Sequence, residues 1–184
     1  MAVPGADPSR LSRRVPVALL AFAGCAVSTY LALYQYHVLG SVWDPFFGDG
    51  SSKVLTSSLS RALPISDATL GAVAYLWEGC VELAGHRHER WRTQPWLVLL
   101  VGVTALGLAV VSIALVTSQP LLTGTFCTLC LVSAAISLTV PWLVAEEVRA
   151  AVWHVRALHA RGAGWYPSLR GWSVTRSTGR HALR

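Results

Sequence analysis

Charged side chains are scarce in this sequence. Only 13% of its 184 residues are Asp, Glu, Lys or Arg, whereas an ordinary soluble domain carries roughly 25%. Hydrophobic residues make up 53% of the chain, so there is too little charge to cover the surface of a globular soluble protein. The length allows one compact unit and excludes two large domains.

Acidic residues are scarcer than basic ones, and the formal net charge is +6. An excess of basic residues can indicate nucleic-acid binding. Here the basic residues flank apolar runs as long as a bilayer is thick, which favours anionic lipid as the partner. We therefore expect contact with membrane lipid and no nucleic-acid partner.

Long apolar segments suggest transmembrane helices, since a bilayer core of about 30 Å needs about 20 helical residues. Four segments qualify as candidates: 15–39, 68–84, 96–116 and 120–144. The last two contain no charged residue. The segment 68–84 carries Glu78 and Glu82 and is the weakest candidate.

The positions of Lys and Arg predict the orientation, because positive residues mark the cytoplasmic side. In a four-span arrangement all 15 of them except Lys53 and Arg61 lie on one side. Omitting 68–84 would place the C-terminal arginines opposite the N-terminal ones. The sequence thus predicts an all-α membrane protein, a four-transmembrane-helix bundle with both termini in the cytoplasm.

The N-terminus resembles a secretory signal in one respect. Arg13 and Arg14 precede an apolar run, and Cys25 stands where a lipoprotein would be processed. The apolar run continues past Cys25 to Leu33, longer than the apolar core of a signal peptide, about 7–15 residues. A retained helix is therefore the favoured interpretation.

The first outer loop, 40–66, is the longest connection. Trp43, Phe46 and Phe47 suit the membrane interface. Ser51 or Ser52 is a candidate cap for a short interfacial helix over residues 53–62.

The chain is predicted to divide into a cytoplasmic N-terminal segment (1–14), a membrane domain (15–145) and a basic cytoplasmic tail (146–184). In the tail an apolar stripe indicates a second interfacial helix, formed by Val148, Val152, Val155 and Leu158. From about Ala163 the tail is rich in Gly, Ser and Arg and is expected to be disordered.

Two of the four cysteines form the motif Cys127-Thr-Leu-Cys130 within the fourth predicted span. Residues i and i+3 of a helix lie about 5–6 Å apart on one face, near the distance of a disulfide. The pair can therefore be redox-active on the oxidising outer side, or it can be two buried hydrophobic residues. Metal binding is disfavoured because zinc needs four ligands. Cys25 and Cys80 are expected to be packing residues.

The chain resembles the vitamin K epoxide reductase family. The resemblance covers roughly residues 15–145 and rests on the order of three motifs. They are Lys-Val-Leu-Thr-Ser-Ser (53–58), Leu-Pro-Ile-Ser-Asp-Ala-Thr-Leu-Gly-Ala-Val-Ala-Tyr (63–75) and Phe-Cys-Thr-Leu-Cys-Leu (126–131).

The resemblance implies a quinone, of the menaquinone or ubiquinone type, enclosed by four helices near the outer face of a bacterial plasma membrane. By the same resemblance Cys130 faces the quinone and Cys127 exchanges with a thiol donor. The residues implied to line the quinone pocket are Asp67, Leu70, Gly71 and Tyr75. From the residues alone, Asp67 and Ser66 can equally be a helix cap.

The chain departs from the family pattern in its outer loop. Relatives carry a second cysteine pair there, and the matching positions are about Trp43 and Ser51. The tyrosine that some relatives have four residues after the active pair is Ala134. An external thioredoxin-fold partner is therefore expected to meet Cys127 directly. The loop 41–62 is expected to leave Cys127 more accessible than in relatives with a relay.

Three function classes follow from these residues. The first is a quinone-dependent thiol–disulfide oxidoreductase, and the second is a non-enzymatic membrane module of the same fold. A small transporter has little support, because Glu78 and Glu82 are the only membrane-embedded charges. Their shared helix face is expected to meet Arg87 or Arg90.

Overall fold

The computed structural model describes residues 8–57, 65–84, 89–162 and 164–170. Within these residues all regular structure is helical, as expected. The elements in chain order are α1 (Leu11–Gln35), α2 (Gly50–Leu55), α3 (Asp67–Leu83), α4 (Arg90–Thr93), α5 (Pro95–Thr123), α6 (Thr128–Ala160) and α7 (Trp165–Leu169). The helix α1 packs mainly on α3, α5 packs mainly on α6, and α1 joins the two pairs by contacting α6.

Three helices of the described part are long and apolar enough to cross a membrane, namely α1, α5 and α6 with 25, 29 and 33 residues. The weakest predicted span, 68–84, forms α3. With 17 residues, about 26 Å of helix, it is shorter than these three and carries two glutamates. The helical class is confirmed, and three of the four expected spans meet this standard.

The connection between α5 and α6 lies further along the chain than the sequence predicted. The expected link 117–119 is helical, and α5 continues through Pro120 to Thr123. Gly124 then ends α5 with a left-handed φ of 67°, a conformation that glycine adopts without steric cost. The prediction took Pro120 as the boundary, but a proline near the end of a helix removes only one backbone hydrogen bond.

The chain after the fourth predicted span also differs from its prediction. No separate interfacial helix follows the last span, because α6 runs unbroken to Ala160. On its predicted apolar stripe Val155 and Leu158 are buried, and α4 and α7 pack against α6. The segment Trp165–Leu169, expected to be disordered, forms α7, and the tail after 170 lies outside the described residues.

The outer-loop helix is shorter and earlier than expected. It spans Gly50–Leu55, with Asp49 rather than Ser51 or Ser52 at its N-cap. Residues 58–62 of the predicted helix lie outside the described part.

A buried cluster of ion pairs compensates Glu82, one of the two carboxylates of α3, whereas Glu78 is buried with no hydrogen-bond partner among the described residues. Glu82 Oε2 lies 3.2 Å from Arg90 Nη2 and 3.4 Å from Arg14 Nε. Arg90 also reaches Glu147, with 2.9 Å between Nη2 and Oε2. All four side chains are buried. The cluster joins α1, α3, α4 and α6, so a carboxylate that would be costly alone is neutralised. The expected contact with Arg90 is confirmed, and Arg87 lies outside the described residues.

The two single cysteines differ from each other. Cys25 is half-buried and packs against the core, as expected. Cys80 is exposed on α3, so its prediction as a packing residue is wrong. Cys80 lies two residues from Glu78 and two from Glu82 on α3, about 200° around the helix from each. It therefore faces away from the buried carboxylates.

Candidate functional site

A cavity of about 450 Å³ opens between the two helix pairs. Its wall is formed by α1, α2 and α3 on one side and by α5 and α6 on the other, and most of the lining side chains are apolar. Its volume falls within the range of small-molecule sites, about 300–1,000 Å³. The cavity can therefore hold a flat apolar ring.

The cysteine pair lies at the start of α6. Cys127 is the N-cap residue, and its Sγ accepts a hydrogen bond from the backbone N–H of Cys130 at 3.2 Å. The sequence had placed Cys127 well inside the last helix, and the shift follows from the later end of α5. A sulfur at an N-cap faces the positive end of the helix dipole, the arrangement found for reactive cysteines.

The two thiols face different surroundings. Cys130 lines the cavity, whereas Cys127 does not. Cys127 is 0% exposed and packs with Leu55 of the loop helix α2 in one apolar cluster. The loop therefore covers the thiol in this structure, and greater access to Cys127 than in relatives with loop thiols stays a prediction.

Asp44 fastens this loop in place. Its Oδ2 accepts hydrogen bonds from the backbone N–H and the hydroxyl of Ser51 at 2.9 and 2.7 Å. Its Oδ1 accepts from the N–H of Phe47 at 3.1 Å and from the hydroxyl of Thr128 on α6. Partial burial opposes ionisation, but the hydrogen bonds from Thr128, Ser51 and Phe47 outweigh it and hold the pKa of Asp44 well below its usual range.

The loop that carries Asp44 is in close contact with the turn between α5 and α6. The rings of Phe47 and Phe126 lie 5.7 Å apart between centroids. A Cβ built on Gly50 would stand 2.2 Å from the carbonyl oxygen of Phe126. No other residue fits at position 50 without moving the backbone, so the loop needs glycine there to approach Cys127.

All four residues implied by the resemblance to line the quinone pocket lie on the wall of this cavity: Asp67, Leu70, Gly71 and Tyr75. Leu70 is partly exposed, and Gly71 lets α3 approach Ser28 of α1. The hydroxyl of Tyr75 is engaged with α6, donating to the carbonyl oxygen of Ser133 at 2.7 Å. The structure thus brings these residues together with Cys130.

Asp67 begins α3 without being its N-cap. The cap is Ser66, whose hydroxyl oxygen accepts from the N–H of Thr69 at 3.3 Å. Asp67 Oδ1 instead accepts from Gln35 Nε2 at 2.7 Å, which ties the start of α3 to the end of α1. Its side chain therefore lies between a helix contact and the cavity.

Three functional candidates escaped the sequence reasoning. Asp44 stood beside the noted Trp43, and its role emerges only when the loop meets Thr128. The hydroxyl of Ser137 on α6 is hydrogen-bonded to the hydroxyl of Tyr75 on α3. Gln119 lines the cavity and was passed over as part of an uncharged link. One signal was available for Gln119, which is the sole amide side chain in the apolar stretch 96–144.

Two of the three positions at which the chain departs from the family pattern have different surroundings. Trp43 is 65% exposed and its backbone N–H donates to the hydroxyl of Tyr30. Ala134, at the position of the missing tyrosine, lines the cavity.

Comparison with known proteins yields one match. A sequence model of the family described as Vitamin K epoxide reductase family matches residues 15–145. No curated protein and no solved structure matches the chain.

Proposed function

The chain belongs to the vitamin K epoxide reductase family, and on this premise we propose that it oxidises protein thiols at the expense of a membrane quinone. Members of this family are, in general, membrane thiol–quinone oxidoreductases. The reaction centre is Cys127 with Cys130, and the quinone, of the menaquinone or ubiquinone type, occupies the cavity beside Cys130.

One observation carries the proposal: the two thiols lie within one helical turn and face different compartments. Cys130 lines the apolar cavity, and Cys127 lies beneath the outer loop. A pair that passes electrons from a protein to a lipid-soluble acceptor needs this division. Two packing residues would not need it.

The reaction balances in two half-reactions. In the first, the Cys127–Cys130 dithiol gives two electrons and two protons to the quinone, which leaves as hydroquinone while a sulfur–sulfur bond forms. In the second, a partner thiolate attacks Sγ of Cys127, and Cys130 leaves as a thiolate. The partner's second thiol then releases the reduced pair and keeps the disulfide.

The thiol partner is a thioredoxin-fold protein on the outer side of the membrane. Since no cysteine lies between residues 26 and 79, electrons cannot pass through a disulfide within the loop. The partner must therefore reach Cys127 itself, and the loop fastened by Asp44 has to move aside for each exchange.

The proposed topology has four spans, both termini in the cytoplasm and the cysteine pair at the outer face of a bacterial plasma membrane. About 30 Å of α6 separates Cys127 from Glu147 at 1.5 Å per residue, which equals the thickness of the bilayer core. The buried ion pairs then lie at the inner boundary. The helix α3 runs from Asp67 beside Gln35 to Glu82 beside Arg14, a length of about 22 Å at 1.5 Å per residue.

The test is the redox state of the purified, reduced protein after addition of duroquinone, whose fully substituted ring does not alkylate thiols. Free thiols are counted by the mobility shift of a maleimide polymer. We expect the wild type to lose two thiols, whereas Cys127→Ser and Cys130→Ser lose none to intramolecular oxidation. Cys80→Ser serves as the control and should behave like the wild type at the pair.

The partner step has its own signature. After co-expression with thioredoxin-fold proteins, Cys130→Ser should accumulate a mixed disulfide through Cys127, because the resolving thiol is missing. Cys127→Ser should form none.

A second function, a membrane module without redox activity, is favoured by the complete burial of Cys127 and by Trp43 and Ser51 in place of loop thiols. If the wild-type pair stays reduced with quinone, and neither cysteine variant alters thiol oxidation, this second function replaces the first.

A further inference from the structure

A quinone in the cavity presents carbonyl oxygens, which accept hydrogen bonds and donate none. The site therefore needs a donor near Cys130. An ionised Asp67 accepts only, and the hydroxyl of Tyr75 already donates to the carbonyl oxygen of Ser133. Neither side chain meets the requirement in this arrangement.

Several hydroxyls on the α5 wall are also committed elsewhere. Thr104 donates to the carbonyl oxygen of Leu100 at 3.0 Å, and Ser118 to that of Leu115 at 2.7 Å. A hydroxyl has a single proton, so these groups present only an oxygen to the cavity.

Gln119 is different because its amide carries an acceptor and two donors. Its Oε1 accepts the backbone N–H of Cys127 at 3.0 Å. A backbone N–H only donates, so the amide oxygen must face Cys127, and the NH₂ group turns elsewhere. Gln119 is 4% exposed and lines the same cavity as Cys130. Within the described part of the chain, no hydrogen bond from its amide nitrogen is present.

We infer that Gln119 binds the quinone, donating from Nε2 to the carbonyl oxygen nearest Cys130 while its Oε1 fixes the backbone of Cys127. This inference rests on the proposed function. Gln119 transfers neither electron nor proton in it. Its donor stabilises the negative charge that develops on the quinone oxygen as electrons arrive from the thiol pair. Gln119 thereby fixes the position of the quinone relative to the cysteine pair.

The decisive variant is Gln119→Glu, which has nearly the same shape. As a carboxylate it still accepts the N–H of Cys127, but it has no proton to donate and repels a quinone oxygen that gains charge. The matched control is Thr117→Val on the same helix, whose hydroxyl is exposed and bonded to the carbonyl oxygen of Ile113.

Two oxidants separate binding from folding. Reduced protein is treated with duroquinone, and in parallel with diamide, which oxidises dithiols without a quinone site. For Gln119→Glu we expect quinone-driven oxidation to slow by about tenfold or more, the size of a lost hydrogen bond to a charged group. The diamide rate should stay at that of the wild type, and Thr117→Val should match the wild type in both assays.

Each other outcome overturns a stated claim. Equal quinone rates for Gln119→Glu and the wild type overturn the role of Gln119 and leave the proposed function intact. A parallel loss with diamide shows that Gln119 only holds the fold of the cysteine turn. A wild type that duroquinone does not oxidise, but diamide does, overturns the proposed function together with this inference.

Discussion

The carboxylate of Asp44 accepts a hydrogen bond from the hydroxyl of Thr128 and so joins the outer loop to the first turn of α6. The same carboxylate accepts from the backbone N–H and the hydroxyl of Ser51 on α2, the short helix whose Leu55 packs with Cys127. Asp44 thus links the loop that covers Cys127 to the helix that carries Cys130.

The first prediction concerns access to Cys127. Asp44→Asn removes the charge and half of the acceptor capacity, so the loop should open more often, and alkylation of Cys127 by a maleimide should become several-fold faster. Asp49→Asn is the control, because Asp49 makes no side-chain capping bond in the same loop. Mass spectrometry of the alkylated peptide gives the rate. Equal rates for the two variants would show that Asp44 does not hold the loop.

The second prediction is a pH dependence. The folded state lowers the pKa of Asp44, so its contribution to stability is fully present above the unfolded value, about 3.9, and is lost as the pH falls below it. The stability advantage of the wild type over Asp44→Asn should therefore stay constant from neutral pH down to the unfolded pKa and shrink only as the pH falls below it. Thermal unfolding in detergent at a series of pH values measures it, and a difference that stays constant below that pKa would contradict the assignment.

The third prediction tests the buried ion pairs. Arg90 is fully buried between Glu82 and Glu147. Arg90→Ala leaves the buried Glu147 without this ion pair and Glu82 with Arg14 alone, and should cost about 3–5 kcal/mol. The control Arg92→Ala removes an exposed arginine paired with Glu89 and should cost less than about 1 kcal/mol. Unfolding midpoints in detergent compare them. Similar losses for both variants would mean that the cluster is not a stabilising unit.

The sequence predicted the helical membrane class and the cysteine pair because these depend on local patterns. Apolar length identifies α1, α5 and α6 directly, and the spacing of Cys127 and Cys130 needs no tertiary information. The end of α5 was missed because Pro120 is a weaker terminator than Gly124 within the last helical turn.

The covering of Cys127 could not be predicted from the sequence. It depends on contacts between residues far apart in the chain, such as Asp44 with Thr128 and Phe47 with Phe126. No local sequence pattern shows which donors a loop carboxylate such as Asp44 will bind. The same holds for Glu82. The sequence shows a carboxylate in an apolar segment, but not that Arg14, 68 residues earlier, pairs with it.

The fourth prediction concerns Asp67, which lies between Gln35 and the cavity. Asp67→Asn keeps an oxygen for Gln35 Nε2 and adds an NH₂ donor that can reach a quinone oxygen, so the KM for duroquinone should fall. Asp67→Ala loses the bond to Gln35 and should cost about 1.5–3 kcal/mol of stability. A folded Asp67→Ala variant with unchanged quinone affinity would restrict Asp67 to the helix contact. A raised KM in Asp67→Asn would instead mean that the carboxyl itself is required.

The fifth prediction restores a thiol to the outer loop. Ser51 is buried one turn before Leu55 on the same face of α2, and Leu55 packs with Cys127. The sulfur of Ser51→Cys would therefore lie on the side of the loop that faces Cys127, where a disulfide can form. Under mild oxidation we expect a bond between residues 51 and 127, detected as a cross-linked peptide after digestion without reductant. Ser52→Cys is the control, because the neighbouring side chain of α2 points about 100° away around the helix.

The new bond would also report on function. It ties up Cys127, so Cys130 should remain a free thiol, and quinone-driven oxidation of the Cys127–Cys130 pair should stop until the loop disulfide is reduced. Reductant should restore quinone-driven oxidation of the pair, because it breaks the loop disulfide. The reduced Ser51→Cys protein differs from the wild type only by sulfur in place of oxygen. If Ser51→Cys cross-links no more than Ser52→Cys, the loop does not cover Cys127 in the membrane. In that case direct access of a partner to Cys127 would need no movement of the loop.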